Sequence, residues 1–216
     1  DLNLNDDHVF KFMLGMNRVA SAGQYHWTQR ADLIDITNPQ FDLAVGTITG
    51  SGGEYWESQL GYFGRVNYAY KNKYLLEANL RYDGSSKFPT DLKWRWFPSF
   101  SAGWVASEEI FMEWAKPTLN QLKFRGSWGI IGNQTVPSDL YISNMSAGQT
   151  SWVIDGTLTN SVGSPKLNVP NVSWEDLETL DIGMDARFFK SKLGLTVDWY
   201  QKKTNNMFAP LEGTTW

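Results

Sequence analysis

The sequence predicts an all-β fold, an antiparallel up-and-down sheet whose strands are built to cross a membrane. Three observations predict it. From Leu60 to Asp83 two arms of strict alternation are hinged on Lys71-Asn72-Lys73, and because side chains alternate across a strand, each arm has an apolar and a charged surface. The apolar surface carries tyrosines near both ends (Tyr62 and Tyr70, Tyr74 and Tyr82) with small or aliphatic residues between, the order in which amphipathic rings settle at two headgroup layers. The connections are unequal. Lys71-Asn72-Lys73 and Lys190-Ser191 are tight, whereas Gly84–Arg95 is longer and Gly132–Glu178 very long, as in barrels with short turns on one side and long loops outside the cell.

Each element follows from the same period. His8 to Asn17 sets Phe10, Phe12, Leu14 and Met16 against Val9, Lys11, Met13 and Gly15. Between Ser21 and Glu57 the pattern dissolves, with Gly50-Ser51-Gly52-Gly53 expected to bend and a short helix or ordered loop expected around Arg30–Ile36. The first arm then places Tyr62, Gly64, Val66, Tyr68 and Tyr70 opposite Arg65, Asn67 and Ala69. The second places Tyr74, Leu76, Ala78, Leu80 and Tyr82 opposite Glu77, Asn79, Arg81 and Asp83. Trp96 to Ala106 aligns Pro98, Phe100, Ala102, Trp104 and Ala106, and Leu122 to Ile130 aligns Leu122, Phe124, Gly126, Trp128 and Ile130 against Lys123 and Arg125. Leu180 to Phe188 opposes Leu180, Ile182, Met184, Ala186 and Phe188 to Asp181, Asp185 and Arg187. After the turn, Leu193, Leu195, Val197 and Trp199 oppose Thr196, Asp198 and Tyr200. Strands of about nine to eleven residues suffice for a tilted crossing of the hydrocarbon.

Composition fits. Hydrophobic residues make up 42% and charged residues 19%, and aromatics reach 15%, with 11 Trp, 9 Tyr and 12 Phe. The mean hydropathy of −0.38 resembles that of a soluble chain, but lumen residues dilute every apolar face of a barrel. No run approaches the roughly 20 apolar residues of a spanning helix. A net charge of −4 argues against a nucleic-acid partner, and zero cysteines exclude a disulfide scaffold and thiolate metal ligation.

Catalytic signals are poor, and no cofactor or enzymatic activity is expected. Glu108-Glu109 are adjacent and diverge in a strand or turn, so no glycosidase pair can be argued. His8 and His26 lack ligands at metal spacing, and neither a P-loop nor a Gly-x-Ser-x-Gly elbow is present. Asn133-Gln134-Thr135, Asn144-Met145-Ser146 and Asn171-Val172-Ser173 match the glycosylation sequon, a pattern common by chance.

Several stretches resemble the SusC/RagA family of TonB-dependent transporters of the bacterial outer membrane. They are LGYFGRVNY (60–68), KYLLEANLRYDGSSKF (73–88), WFPSFSAGW (96–104), SEE (107–109), LKFRGSWG (122–129), GNQ (132–134), and Trp174-Glu175 with DIGMD (181–185). The resemblance is clearest from Leu60 to Phe208. It implies part of a barrel of about 22 strands, seven or eight of them here, as one β-barrel domain over 1–216 whose N-terminal plug and TonB box lie outside this sequence. It also implies a SusD-like surface lipoprotein as lid, energy through TonB, and glycans or peptides as cargo. The abrupt start and end predict an internal piece.

With that resemblance, Arg65, Asn67, Glu77, Asn79, Arg81, Lys123, Arg125, Asp181, Asp185 and Arg187 become candidates to face the lumen, the plainer reading being a hydrated wall of mutually satisfied charges. Tyr141, Trp152 and Trp174 are candidate loop contacts to ligand or lid, against self-packing of the loop. Tyr62, Tyr70, Tyr74 and Tyr82 are the expected membrane-interface anchors in contact with outer-membrane lipid. The competing architecture is a soluble secreted carbohydrate-binding β-sandwich, in which a second sheet must cover the Tyr and Leu face. A secreted glycosidase is the weaker rival.

Overall fold

The computed structural model describes residues 2–5, 7–165 and 168–208. Ten strands account for most of them: β1 (Leu2–Asn5), β2 (His8–Arg30), β3 (Ile48–Tyr70), β4 (Tyr74–Ser85), β5 (Trp94–Val105), β6 (Leu119–Asn133), β7 (Ala147–Ile154), β8 (Thr157–Val162), β9 (Glu175–Phe188) and β10 (Leu193–Asn205). Eight of them form one sheet in the order β1-β2-β3-β4-β5-β6-β9-β10, and β7 and β8 make a separate two-stranded hairpin. Among the described residues helix is limited to short 3-10 segments, and no helix is long and apolar enough to cross a membrane.

The chain divides into two compact units, one holding residues up to Arg18 and from Gln59 onward, the other Val19–Ser58. In the first unit the pairing is antiparallel, and the register keeps the apolar rows aligned from strand to strand. Tyr62 faces Tyr82, Val66 faces Ala78 and Tyr70 faces Tyr74. The rows continue through Tyr82↔Trp96, Ala78↔Phe100 and Tyr74↔Trp104 into Phe100↔Trp128 and Trp104↔Phe124. They end in Trp128↔Leu180, Phe124↔Met184 and then Met184↔Val197 and Ile182↔Trp199. A slip of one residue at any pair would turn a whole strand over, so this agreement fixes one face as continuously apolar.

The short turns have a local cause. Lys71 and Asn72 sit at φ 50 and 53, and the Lys73 amide donates to the Tyr70 carbonyl at 2.9 Å. Lys190 and Ser191 sit at φ 56 and 63 with the Lys192 amide on Phe189 O at 3.3 Å. Two consecutive left-handed residues give the turn whose twist matches antiparallel strands. Asn120 Oδ1 accepts from the amides of Lys190 and Ser191, at 2.5 and 3.3 Å, and steadies the second turn.

The second unit departs from expectation. β2 and β3 each run 23 residues, so the stretch Ser21–Glu57 that lacks apolar alternation is largely strand. Gly50, Ser51, Gly52 and Gly53 lie within β3 and do not bend the chain. The Tyr25 ring lies over Gly53 and the Tyr55 ring over Gly23, so aromatics of one strand cover glycines of the other. Alternation is hidden because glycines at 23, 50, 52 and 53 leave gaps in it and polar residues fill most of the other positions. No helix forms at Arg30–Ile36. That segment is a loop with a Leu33↔Ala44 bridge, followed by a 3-10 turn at Phe41–Leu43. Thr37 donates its amide and its hydroxyl to Asp35 Oδ1 at 2.8 and 2.7 Å, which holds this carboxyl below the usual carboxylate range.

The long connection between β6 and β9 also differs from a structureless loop. It carries the β7–β8 hairpin and contributes Val136, Val172 and Trp174 to a buried cluster with Phe88 and Phe97. This cluster lies at the long-loop end of the first unit and not between two sheets. Along the middle of the sheet none of the described residues covers the apolar face: Leu76 is 52% exposed, Phe100 54% and Ile182 55%. The second sheet that a sandwich needs is reduced, among the described residues, to the two strands β7 and β8.

Candidate functional site

The alternation that makes one face apolar must deliver the other residues to the opposite face, and there the structure assembles a charged wall. The ten candidate lumen residues all occupy this polar parity: Arg65↔Asn79 and Asn67↔Glu77, then Lys123↔Asp185, Arg125↔Gly183, Ser127↔Asp181 and Gln121↔Arg187. Arg81 pairs with Phe63 on one side and Phe97 on the other.

Charges on this wall are tied to one another. Arg65 Nε donates to Asn79 Oδ1 at 2.6 Å, and Asn79 Nδ2 donates onward to Glu77 Oε1 at 2.8 Å. Arg81 grips both oxygens of Asp83 at 2.9 and 3.0 Å while its guanidinium lies 5.2 Å from the Phe63 ring centroid. The densest node is Arg125. Its Nε reaches Asp185 at 3.1 Å, its Nη1 reaches Asp181 at 3.2 Å, and its Nη2 donates to Asp198. Thr196 Oγ1 adds a hydrogen bond to Asp185 at 2.9 Å. One guanidinium thus holds three carboxylates from β9 and β10, a fork geometry that lysine cannot supply.

Asp198 and Thr196 join this node without having been singled out by the sequence, although both alternate with Leu195 and Val197 and so fall on the polar face. The missing signal was the partner strand, since only the β9–β10 register brings Thr196 opposite Asp185. Where small residues interrupt the wall it recedes. A recess of about 550 Å³ lies over Glu77, Asn79, Arg81, Ser99, Gly129 and Thr179. Replacing Arg125 with Met is expected to lower the unfolding temperature of the assembled barrel, because three carboxylates then face each other across neighbouring strands. The loss should shrink at high ionic strength, where that repulsion is screened. A salt-independent loss would identify packing and not charge as the cause.

The loop aromatics occupy three different settings. Trp152 stands on β7, 77% exposed. Tyr141 is half-buried against the cluster at the loop base. Trp174 is 4% exposed, its ring 5.0 Å from Phe88 and 5.3 Å from Phe97, with Nε1 donating to Lys93 O at 3.1 Å. Both neighbours of its ring are core residues, so its position is structural. Below it Arg95 pairs with the buried Asp176, which also accepts from Asn206 Nδ2 at 3.0 Å. The loop base is therefore a packed floor whose polar atoms face inward.

The expected interface tyrosines lie at the two ends of the apolar face. Toward the long loops Tyr62 and Tyr82 stack with Trp94, and Tyr82 also with Trp96. Toward the short turns Tyr70 stacks with Tyr74 at 6.2 Å, and Trp104 with Phe124 at 5.9 Å. Between the rings each strand offers about nine residues, roughly 27 Å of chain, or about 21 Å of height at a tilt near 40°. Beyond Leu180 and Trp199 the same rows turn polar at Glu178, Gln201 and Lys203, and Trp128 Nε1 donates to Glu178 at 2.8 Å. The apolar height is thus bounded on both sides and close to that of an outer-membrane band.

The model of the family described as "TonB dependent receptor-like, beta-barrel" matches residues 1–216. Among curated proteins, TonB-dependent receptor P26 of Formosa agariphila is 38% identical over 146 residues, which are 68% of this chain and 14% of that protein. TonB-dependent receptor SusC of Bacteroides thetaiotaomicron is 35% identical over 153 residues, 68% of this chain and 15% of that protein. The chain therefore spans about one seventh of the length of these relatives. Among solved structures, the RagAB peptide importer in its open-open state superposes with a TM-score of 0.74 at 20% identity, covering 95% of this chain and 22% of that one.

Proposed function

This chain belongs to the TonB-dependent receptor β-barrel family, and from that premise we propose that it forms a stretch of wall in an outer-membrane importer of oligomeric nutrients. The family resides in the bacterial outer membrane. In the proposed importer a SusD-like lipoprotein closes over the long loops, and TonB drives passage by acting on a plug outside this sequence. The cargo is a glycan or a peptide.

The observation that carries this reading is the pairing of two continuous faces across six strands, one apolar and belted by aromatics, the other hydrated and rich in internal ion pairs. Such a wall suits passage of a polar oligomer, since charges that satisfy each other offer many weak contacts and no single deep trap. The solved RagAB structures are described as a peptide importer, and the resemblance to the SusC/RagA family implies glycans or peptides, so both cargoes stand. The relatives are receptors and transporters by name, in keeping with a transport role over an enzymatic one.

The test is growth of a strain lacking the full-length parent on oligosaccharides and on oligopeptides as sole nutrient, with free monomers as control. Loss of growth on one class, restored by the wild-type gene, is the expected result and names the cargo. Undiminished growth on every oligomer that the wild type consumes would remove the import reading.

A further inference from the structure

On the short-turn side two connections are tight, residues 71–73 and 189–192, but the one from β5 to β6 takes the thirteen residues 106–118. A barrel does not need this length to turn a strand around. The extra chain forms two 3-10 segments, Ala106–Glu108 and Ile110–Ala115. Their inward side is small and buried at Ala106, Ser107 and Ala115. Their outward side carries Ile110 at 81% exposure, Phe111 at 60% and Trp114 at 80%.

Geometry points to an interfacial foot: we propose that Ile110, Phe111 and Trp114 are seated at the headgroup–acyl boundary of the phospholipid leaflet on the short-turn side, extending the aromatic belt beyond the strands. The proposal rests on the reading of the apolar face as lipid-facing. Continuity with that face is its main support. The Phe111 ring lies 6.4 Å from Trp104, which shares its row with Tyr74 and Phe124.

The foot is also held rigidly at that level. Glu109, the residue just before Ile110, accepts the Tyr74 hydroxyl at 2.7 Å and Trp104 Nε1 at 3.4 Å, and Lys73 Nζ lies 3.5 Å away. The Tyr74 hydroxyl, aided by Trp104 and Lys73, holds the Glu109 carboxyl below the usual carboxylate range. Two belt residues and the foot therefore share one anchor.

Lipid fits this patch better than a protein does. Three such side chains offer on the order of 500 Å² between them, short of the roughly 800 Å² per partner of a stable protein interface. Exposed Glu108, Glu113 and Lys116 alternate with the apolar residues, so the segment presents both a wet and a dry side over a single helical turn or two. That is the pattern of a segment lying in an interface plane.

Full-length parent protein in vesicles of phosphatidylethanolamine and phosphatidylglycerol, otherwise free of cysteine, provides the test. Single variants Phe111→Cys, Trp114→Cys, Glu113→Cys and Leu76→Cys are labelled with a small fluorophore, then exposed to nitroxide lipids and to aqueous iodide. Labels at 111 and 114 are expected to be quenched by nitroxide carried near the headgroup and spared by iodide, with the reverse at 113. Quenching at 76 by lipid, with 111 and 114 open to iodide, overturns the foot and leaves the wall reading intact. Labels at 111 and 114 shielded from both quenchers identify a protein cover and also overturn it. Failure of lipid to quench the label at 76 refutes the lipid-facing wall, and the foot with it.

Discussion

Arginine at Ala78 or Phe100 is expected to stop the barrel from assembling in the outer membrane. The two residues face each other across β4 and β5, midway between the ring pairs Tyr74–Trp104 and Tyr82–Trp96. A guanidinium there meets hydrocarbon with no partner, since its row holds Val66, Trp128 and Leu180. The cost is about 2–4 kcal/mol at the bilayer midplane and falls to about 0–1 kcal/mol near the interfaces. Against a stability of about 5–15 kcal/mol, the upper value takes away a large share of the margin that keeps the barrel assembled. Leu76→Arg and Leu80→Arg lie one rung nearer the belts, so their side chains can reach toward the headgroups and should cost less. Asn79→Arg, on the polar face, should assemble nearly as wild type. The fraction of heat-modifiable, membrane-inserted parent protein measures all five. A flat series, with polar-face and apolar-face arginines equally tolerated, would mean that this sheet does not contact lipid, and an inverted series that the facing of β4 is reversed.

That facing could be read from sequence because it depends only on a period of two and on where rings fall along it. The Leu60–Asp83 hairpin was legible for this reason, and its twelve-pair register follows from a two-residue turn in the left-handed region. β2 and the first part of β3 were not. Gly23, Gly50, Gly52 and Gly53 supply no side chain to alternate, and what lies against them, the Tyr55 ring for Gly23 and residues Tyr25 to Thr28 for the other three, stands about twenty to thirty residues away in the chain. The same limit applies to the polar wall. Parity alone put Arg125, Asp181 and Asp185 on one side, but their convergence with Asp198 needed the order β6-β9-β10, which skips a hairpin and cannot be counted from local pattern. The long loop was opaque for a third reason. Its core is made by residues from both ends of two connections, Phe88 with Val136, Val172 and Trp174, and no short window contains more than two of them.

Trp174→Ala is expected to undo that loop core while leaving the wall standing. The residue immediately precedes β9, and its indole fills the space between Phe88, fully buried, and Phe97, 4% exposed. Removing it opens a cavity of indole size, for which losses of about 3–5 kcal/mol are typical, and it strips the Lys93 carbonyl of its indole donor at about 1 kcal/mol more. The damage should be local. β4, β5, β6 and β9 keep their ladders, whereas residues 134–173 and 86–93 lose the side chain that joins them. Hydrogen exchange and limited proteolysis of the full-length protein in membranes should therefore show both loops opening around an intact barrel. Trp174→Phe, which keeps a ring but not the indole N–H, should retain most of the protection. This pair of variants also separates packing from ligand stacking. A tryptophan that served a ligand would lose binding on truncation with loop protection unchanged, whereas a tryptophan that holds the floor loses protection first, and any loss of cargo capture follows from it. Trp152, exposed on β7 and remote from this cluster in sequence, supplies the internal comparison: Trp152→Ala should leave protection of both loops at the wild-type level.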